Sequence, residues 1–327
     1  MPHNLRHSLL TLALWAACSL GGAADQPEAP FHAVKLLDEA AGLQRDGCYD
    51  AALAAYHELI ARIPSSPLRA DVLPRTARLH QRLGQLREAE SIYWQLLAED
   101  PAGPHAAEAL AALAWIDDAS GQTADAQDQY RELLEKFPQS PQAPEAAYWL
   151  ARKAADEKDT AQAEHYVRWL LKEIGPQNYC SDRERKLWAQ AVCLQCQLAA
   201  ARGEWELIPV VAADALSRLP QGSDAVRVEF WWAEAEFRTG QFHAARGRFE
   251  RLDARTVGIA EPWVPIVPWR RAQLAARNSQ WNEVFVLTQR IEREFPEFPF
   301  PNDLDYLRGR AEASRGDLAR ALGNQQR

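Results

Sequence analysis

Between Gly121 and Leu150 the chain reads G-Q-T-A-D-A-Q-D-Q-Y-R-E-L-L-E-K-F-P-Q-S-P-Q-A-P-E-A-A-Y-W-L. Ala126, Tyr130, Leu133 and Leu134 recur at helical spacing, and charged residues fill the positions between them. That pattern predicts an amphipathic helix with one apolar face. Pro138 and Pro141 end it, because proline lacks an amide hydrogen and restricts the residue before it. Another helix begins beyond them.

The same punctuation returns along the chain. Gly47, Gly84 and Gly121 stand 37 residues apart, and Lys158 falls at the next step. Five positions after each comes a small residue, Ala52, Ala89, Ala126 and Ala163. Nine positions after each come Tyr56, Tyr93, Tyr130 and then Val167. Pro64, Pro101 and Pro138 close the first three units, and Gly175-Pro176 closes the fourth. Gly203 and Gly240 repeat the step, followed at one offset by Trp205 and Phe242. Ser279-Gln280-Trp281 replaces the glycine turn in a seventh unit that ends at Pro296. Gly316-Asp317-Leu318 with Ala321 opens an eighth, whose second helix is cut off at Arg327. A fixed period in this range is the mark of stacked helix pairs, each too small to bury its own apolar face.

The expected organisation is therefore a signal segment at 1–24, a linker at 25–32, four regular repeats over 33–176 and four divergent ones over 177–327, the last incomplete. The step from Lys158 to Gly203 is longer than the others, and the extra residues fall between Gly175 and Arg183. Ser181-Asp182-Arg183-Glu184 reads as a capping box, so a long helix is expected from Asp182 to about Arg202. Glu261 to Trp269 carries Pro262, Pro265 and Pro268. Prolines at that interval can hold a polyproline helix, but a stiff loop feeding a helix near Pro268 is the better reading. Phe295 to Pro301 is a similar aromatic-proline linker.

G-C-Y-D-A-A-L-A-A-Y ending at Pro64 and G-Q-L-R-E-A-E-S-I-Y ending at Pro101 resemble the second helix of tetratricopeptide repeats. The resemblance covers residues from about 33 to the end and is most specific in the first three units. F-P-Q-S-P-Q-A-P-E-A-A-Y-W-L is similar to bacterial envelope members of that family, among them the outer-membrane β-barrel assembly lipoprotein and the Tol–Pal-associated division coordinator. The resemblance implies an all-α fold, a right-handed α-solenoid of about eight helix pairs. It also implies a protein or peptide partner held on the concave face, along the first helix of each pair. Residue by residue, it places Tyr148, Phe230, Trp269 and Tyr306 at equivalent inward positions, with Arg82, Trp115, Arg152, Arg238, Arg277 and Arg310 beside them. Packing between helices is the alternative role for the aromatic members. The family's clamp for a C-terminal carboxylate, paired lysines with an asparagine, is not reproduced.

Charge and chemistry narrow the function further. The formal net charge of −8 and the lack of any long basic run argue against nucleic acid as partner. Arg6, the apolar run Leu9 to Leu20 and the small residues Gly21 to Ala24 have the layout of a secretory signal, too short to span a bilayer. Trp15-Ala16-Ala17-Cys18 is similar to a bacterial lipobox and makes Cys18 the candidate lipidation site, the only route to a membrane. No phosphate loop, zinc-protease motif or nucleophile motif occurs, and no cofactor is expected. Asp117 and Asp118 are adjacent and point to different sides of a helix. Cys193 and Cys196 share a helix face, a spacing that suits a metal or redox pair, but they stand without companion ligands and read as two small buried apolar residues. The leading expectation is a non-catalytic envelope adaptor. It predicts that Phe230→Ala with Trp269→Ala abolishes partner capture and leaves helicity intact. The alternatives are the superhelical portion of a peptidoglycan- or glycan-processing enzyme whose catalytic domain lies elsewhere, and a lipid-anchored outer-membrane assembly factor.

Overall fold

The computed structural model describes residues 30–63, 68–175, 181–220, 222–314 and 316. The expected signal segment, Cys18, Cys180, Pro64, Pro176 and the eighth unit from Asp317 onward lie outside the described residues. Among the described residues the fold is all-α, with fifteen α-helices and no strand. In chain order these are α1 (Pro30–Arg45), α2 (Tyr49–Arg62), α3 (Leu68–Arg82), α4 (Leu86–Glu99), α5 (Ala106–Ala119), α6 (Thr123–Lys136), α7 (Ala143–Asp156) and α8 (Thr160–Glu173). They continue as α9 (Asp182–Ala201), α10 (Ile208–Arg218), α11 (Ser223–Arg238), α12 (Phe242–Arg255), α13 (Ile266–Arg277), α14 (Trp281–Glu294) and α15 (Pro301–Ser314). None is long and apolar enough to cross a membrane.

The repeat is written into the turns. Gly47, Gly84, Gly121, Gly203 and Gly240 have φ of 80°, 74°, 82°, 77° and 79°, the left-handed region that a side chain resists. Lys158 at 64° and Ser279 at 56° hold the same conformation without being glycine. At every one of these turns the next amide closes back five residues. Cys48 N–H donates to Leu43 O at 2.9 Å, Gln122 to Asp117 at 2.8 Å, Asp159 to Ala154 at 2.9 Å and Gln280 to Ala275 at 2.9 Å. This Schellman closure satisfies the last carbonyls of the first helix and aims the chain back along it. One local geometry, repeated, thus produces each antiparallel pair.

The chain divides into two compact units, Met1–Ile116 and Asp117–Arg327. In the first, Ala52, Tyr56, Leu59, Val72 and Leu79 pack between α2 and α3, and Ala77, Ala89, Tyr93, Leu113 and Ile116 continue the core through α5. In the second, Ala163 and Val167 of α8 meet Leu194 and Leu198 of α9, while Ala245, Phe249 and Leu252 of α12 meet Val267 and Leu274 of α13. The position five after the turn is fully buried in every unit, whether it is Ala52, Ala89, Ala126, Ala163, Ile208, Ala245 or Val284. Burial there confirms the register read from the 37-residue step.

The irregular stretches also have local causes. Ser181 caps α9, its Oγ accepting from Glu184 N–H at 3.2 Å and donating to the Glu184 carboxylate at 3.0 Å. Residues 261–265 form turns, with Val264 N–H donating to Glu261 O at 3.0 Å and Ile266 N–H to Trp263 O at 3.0 Å. Those bonds exclude a polyproline helix, which has none of its own. Pro265 precedes α13, and Pro268 sits in its first turn, where no intrahelical amide is missed.

Candidate functional site

The ten residues placed on the inner wall by resemblance separate into four groups. Phe230 and Trp269 depart from that expectation: they are 5% and 6% exposed. Phe230 lies 4.8 Å from the Trp263 ring and 5.6 Å from Trp231. Trp269 stacks on Phe300 at 4.6 Å and 20° and meets Phe298 edge-on at 5.7 Å. Both are covered by rings from the proline-rich connections that follow α12 and α14. Those connections fold back over the first helices, so the two aromatics are core. Replacing both by alanine would hollow that core and would not test a binding wall. Trp115 and Tyr306 are exposed at 50% and 53%.

Four of the arginines share a different task. Arg82 sits over the Tyr49 ring at 5.6 Å, Arg238 over Trp205 at 5.2 Å, Arg277 over Phe242 at 3.9 Å and Arg310 over Trp281 at 4.8 Å. Each aromatic stands two residues after a turn, and each arginine comes from the first helix of the following unit. They clasp one repeat to the next through cation–π contact, worth about 0.5–1 kcal/mol apiece at such exposed places. Arg238 is further tied to Glu234 at 2.9 Å. At the same offset the intervening repeats carry Leu86, Thr123 and Thr160, which offer no ring.

Tyr148 and Arg152 alone come together in a cavity. It has a volume of about 780 Å³, in the range of ligand sites. Its walls are α7 (Tyr148, Arg152, Ala155, Asp156), the turn into α8 (Lys158, Thr160), α9 (Gln190, Cys193, Leu194, Gln197, Leu198, Ala201) and Arg227 of α11. Helices α7, α9 and α11 are the first helices of three successive pairs. Burial raises the Tyr148 phenol above its usual range, while the nearby Arg152 and Arg227 charges pull it back. Arg227 donates one arm to Glu261, yet its Nε is buried with no partner. Sequence periodicity marked Lys158 only as a turn residue and did not single out Arg227, Gln190 or Gln197, because none of these sits at a recurring offset that marks the inner wall.

Of the paired cysteines, Cys193 belongs to the floor and Cys196 does not line this cavity. Both are buried, and burial pushes the Cys196 thiol up to about 12 and the Cys193 thiol higher still. Neither is a thiolate near neutrality, so neither has the form that binds metal or attacks a disulfide. Cys48 is exposed and has no disulfide partner among the described residues.

Comparison with known proteins agrees with the repeat geometry. The family described as tetratricopeptide repeat matches residues 112–179. No curated protein matches the chain. The C-terminal part of a TPR repeat-containing protein from Cytophaga hutchinsonii is 13% identical, with a TM-score of 0.59 over 82% of this chain and 98% of that one. The apo form of RapI is 10% identical, with a TM-score of 0.58 over 90% of this chain and 95% of that one. PilW, described as a type IV pilus biogenesis factor, is 18% identical, with a TM-score of 0.50 over 71% and 96% of the two chains. Residues 112–179 thus match the tetratricopeptide repeat family by sequence, and the helix pairs as a whole share the fold of tetratricopeptide repeat structures.

Proposed function

We propose that the chain is a non-catalytic scaffold of the bacterial envelope that holds a protein partner against successive first helices. Tetratricopeptide repeats generally bind proteins, and one observation supports a contact here: the cavity of about 780 Å³ across α7, α9 and α11. Its polar groups are not spent within the fold. The side chains of Tyr148, Gln190 and Gln197 have no hydrogen bond to other described residues. Polar side chains over an apolar floor are what a peptide segment needs for register and affinity.

A photo-crosslinking residue at Gln197, on the cavity wall, tests the placement against one at Glu135, on the outer helix α6. The expected result is a discrete crosslinked partner from Gln197 and none from Glu135. A partner that crosslinks from Glu135 alone removes the cavity from the reading. The envelope assignment rests on residues 1–24 and is tested by the mass of the mature amino terminus. Cleavage after Ala24 gives a released periplasmic or secreted form, and an acylated Cys18 gives an outer-membrane anchor. An intact Met1 in the native host refutes both.

A further inference from the structure

The cavity holds more positive charge than its surroundings neutralise, in a chain whose net charge is −8. Arg152, Lys158 and Arg227 line it, against the single carboxylate of Asp156. The Arg152 guanidinium and the Lys158 ammonium make no hydrogen bond or ion pair among the described residues. Arg227 is held by Glu261 but keeps a buried Nε without a partner. Six arginines of α12, α13 and α14 are paired instead, although Arg271 too keeps a buried Nε without a partner. Arg246, Arg248, Arg255, Arg270, Arg271 and Arg290 are all committed to carboxylates of their own fold. A buried guanidinium nitrogen without an acceptor carries a desolvation cost, which a ligand oxygen can relieve. Guanidinium groups also suit carboxylates better than neutral acceptors, because the bonds are charge-assisted.

We infer that the cavity takes acidic side chains from an internal segment of the partner, one carboxylate meeting Arg152 and another Arg227, with aliphatic portions resting on Leu194 and Leu198. The cations come from three different elements, so they suit carboxylates spaced along a segment rather than one chain end. The inference rests on the scaffold reading above and gives the occupant its chemistry.

The test uses fluorescein-labelled peptides with both ends blocked, Glu-Leu-Glu-Glu-Leu-Glu and its all-glutamine counterpart, read by anisotropy on the full chain. The glutamate peptide is expected to bind and the glutamine peptide to bind at least about tenfold more weakly. Arg152→Ala, at an exposed position that folding does not need, is expected to weaken the glutamate peptide about tenfold. Arg227→Gln is expected to do the same, with a thermal melt to separate lost binding from lost fold. Equal binding of the two peptides, binding unchanged in Arg152→Ala, or binding only when the C-terminal carboxylate is free would each overturn the inference. So would no binding of either blocked peptide. Failure here is distinguishable from failure of the scaffold reading: a partner that still crosslinks from Gln197 while the blocked peptides fail leaves the wall standing and removes the acidic occupant.

Discussion

Helices α1–α4 and α11–α14 are built on the same turn geometry but fill their polar interior with different chemistry. In the first region the bridges made across a twelve-residue interval are neutral, and the ion pair of Arg69 with Glu99 lies outside them, its carboxylate 41% exposed. The Tyr56 hydroxyl donates to Gln44 Oε1 at 3.1 Å, and Tyr93 donates to Gln81 Oε1 at 2.9 Å. In the second they are ionic. Arg248 reaches Glu236 across the same twelve-residue interval at 2.9 Å, Arg270 grips Glu234 through two nitrogens, and Asp253 is shared by Arg271 and Arg290. A neutral bridge is a modest asset of about 0.5–1.5 kcal/mol. A buried ionic cluster is stable only while every member stays paired. The repeat backbone therefore dictates where a polar bridge can form, and the side chains decide how much is lost when it fails.

The largest expected effect breaks the ionic side of that contrast. Arg270 and Glu234 are each 7% exposed in their side chains, so Glu234→Ala strands a buried guanidinium. A loss of roughly 3–5 kcal/mol is expected, read by urea denaturation against Tyr93→Phe, which should lose about 1 kcal/mol. Replacing the pair together, Glu234→Leu with Arg270→Met, should recover most of the loss. Equal losses for Glu234→Ala and Tyr93→Phe would show that the two chemistries are energetically alike.

Next in size is a change at the crossing position that both regions repeat, at Ala52, Ala89 and Ala245, made at its equivalent in α6. Ala126 is fully buried at the helix crossing five residues after the turn. A leucine there has to force helices apart, and a loss of about 1–3 kcal/mol is expected from overpacking. A melt of Ala126→Leu that matches the parent would mean the crossing is looser than the register implies.

What could be read from the sequence was whatever a few neighbouring residues determine. The turns, the crossing alanines and the Ser181 cap follow from backbone sterics and local hydrogen bonds, so spacing alone exposed them. Lys158 and Ser279 were placed at turns by count, and their positive φ bears that out. The site was less legible. Phe230 and Trp269 were placed by analogy on the inner wall, but Trp263, Phe298 and Phe300 arrive from irregular linkers to cover them. No periodic rule says where a linker ring will land. Arg227 joins Tyr148 and Arg152 only because three first helices stand side by side, which is a tertiary fact.

A smaller effect works in the opposite direction. Ser279 holds φ of 56° where the regular turns use glycine. A left-handed conformation costs a residue with a Cβ about 1–2 kcal/mol, partly offset by the extra chain entropy glycine loses on folding. Ser279→Gly should therefore raise stability by about 0.5–1 kcal/mol, seen as a higher denaturation midpoint with an unchanged slope. A fall would mean that the serine side chain contributes something the turn geometry does not show.

The smallest effect concerns a neutral bridge of the first region that protons can break. His57 Nε2 and His80 Nε2 lie 3.1 Å apart, and His80 Nδ1 donates to Gln85 Oε1 at 2.7 Å. His80 Nε2 is then the acceptor and His57 Nε2–H the donor. Burial, and secondarily His80, lowers the His57 pKa below its usual 6.5. Between that lowered value and 6.5 the unfolded chain binds more protons than the folded one, so stability rises with pH. The contribution is complete above 6.5 and is lost as pH falls through the window. Melts between pH 7.5 and 5.5 should show that decline, and His57→Gln should flatten it without changing the response of Glu234→Ala relative to its parent. An identical slope in His57→Gln would place the acid sensitivity elsewhere and leave the α2–α3 bridge indifferent to protons.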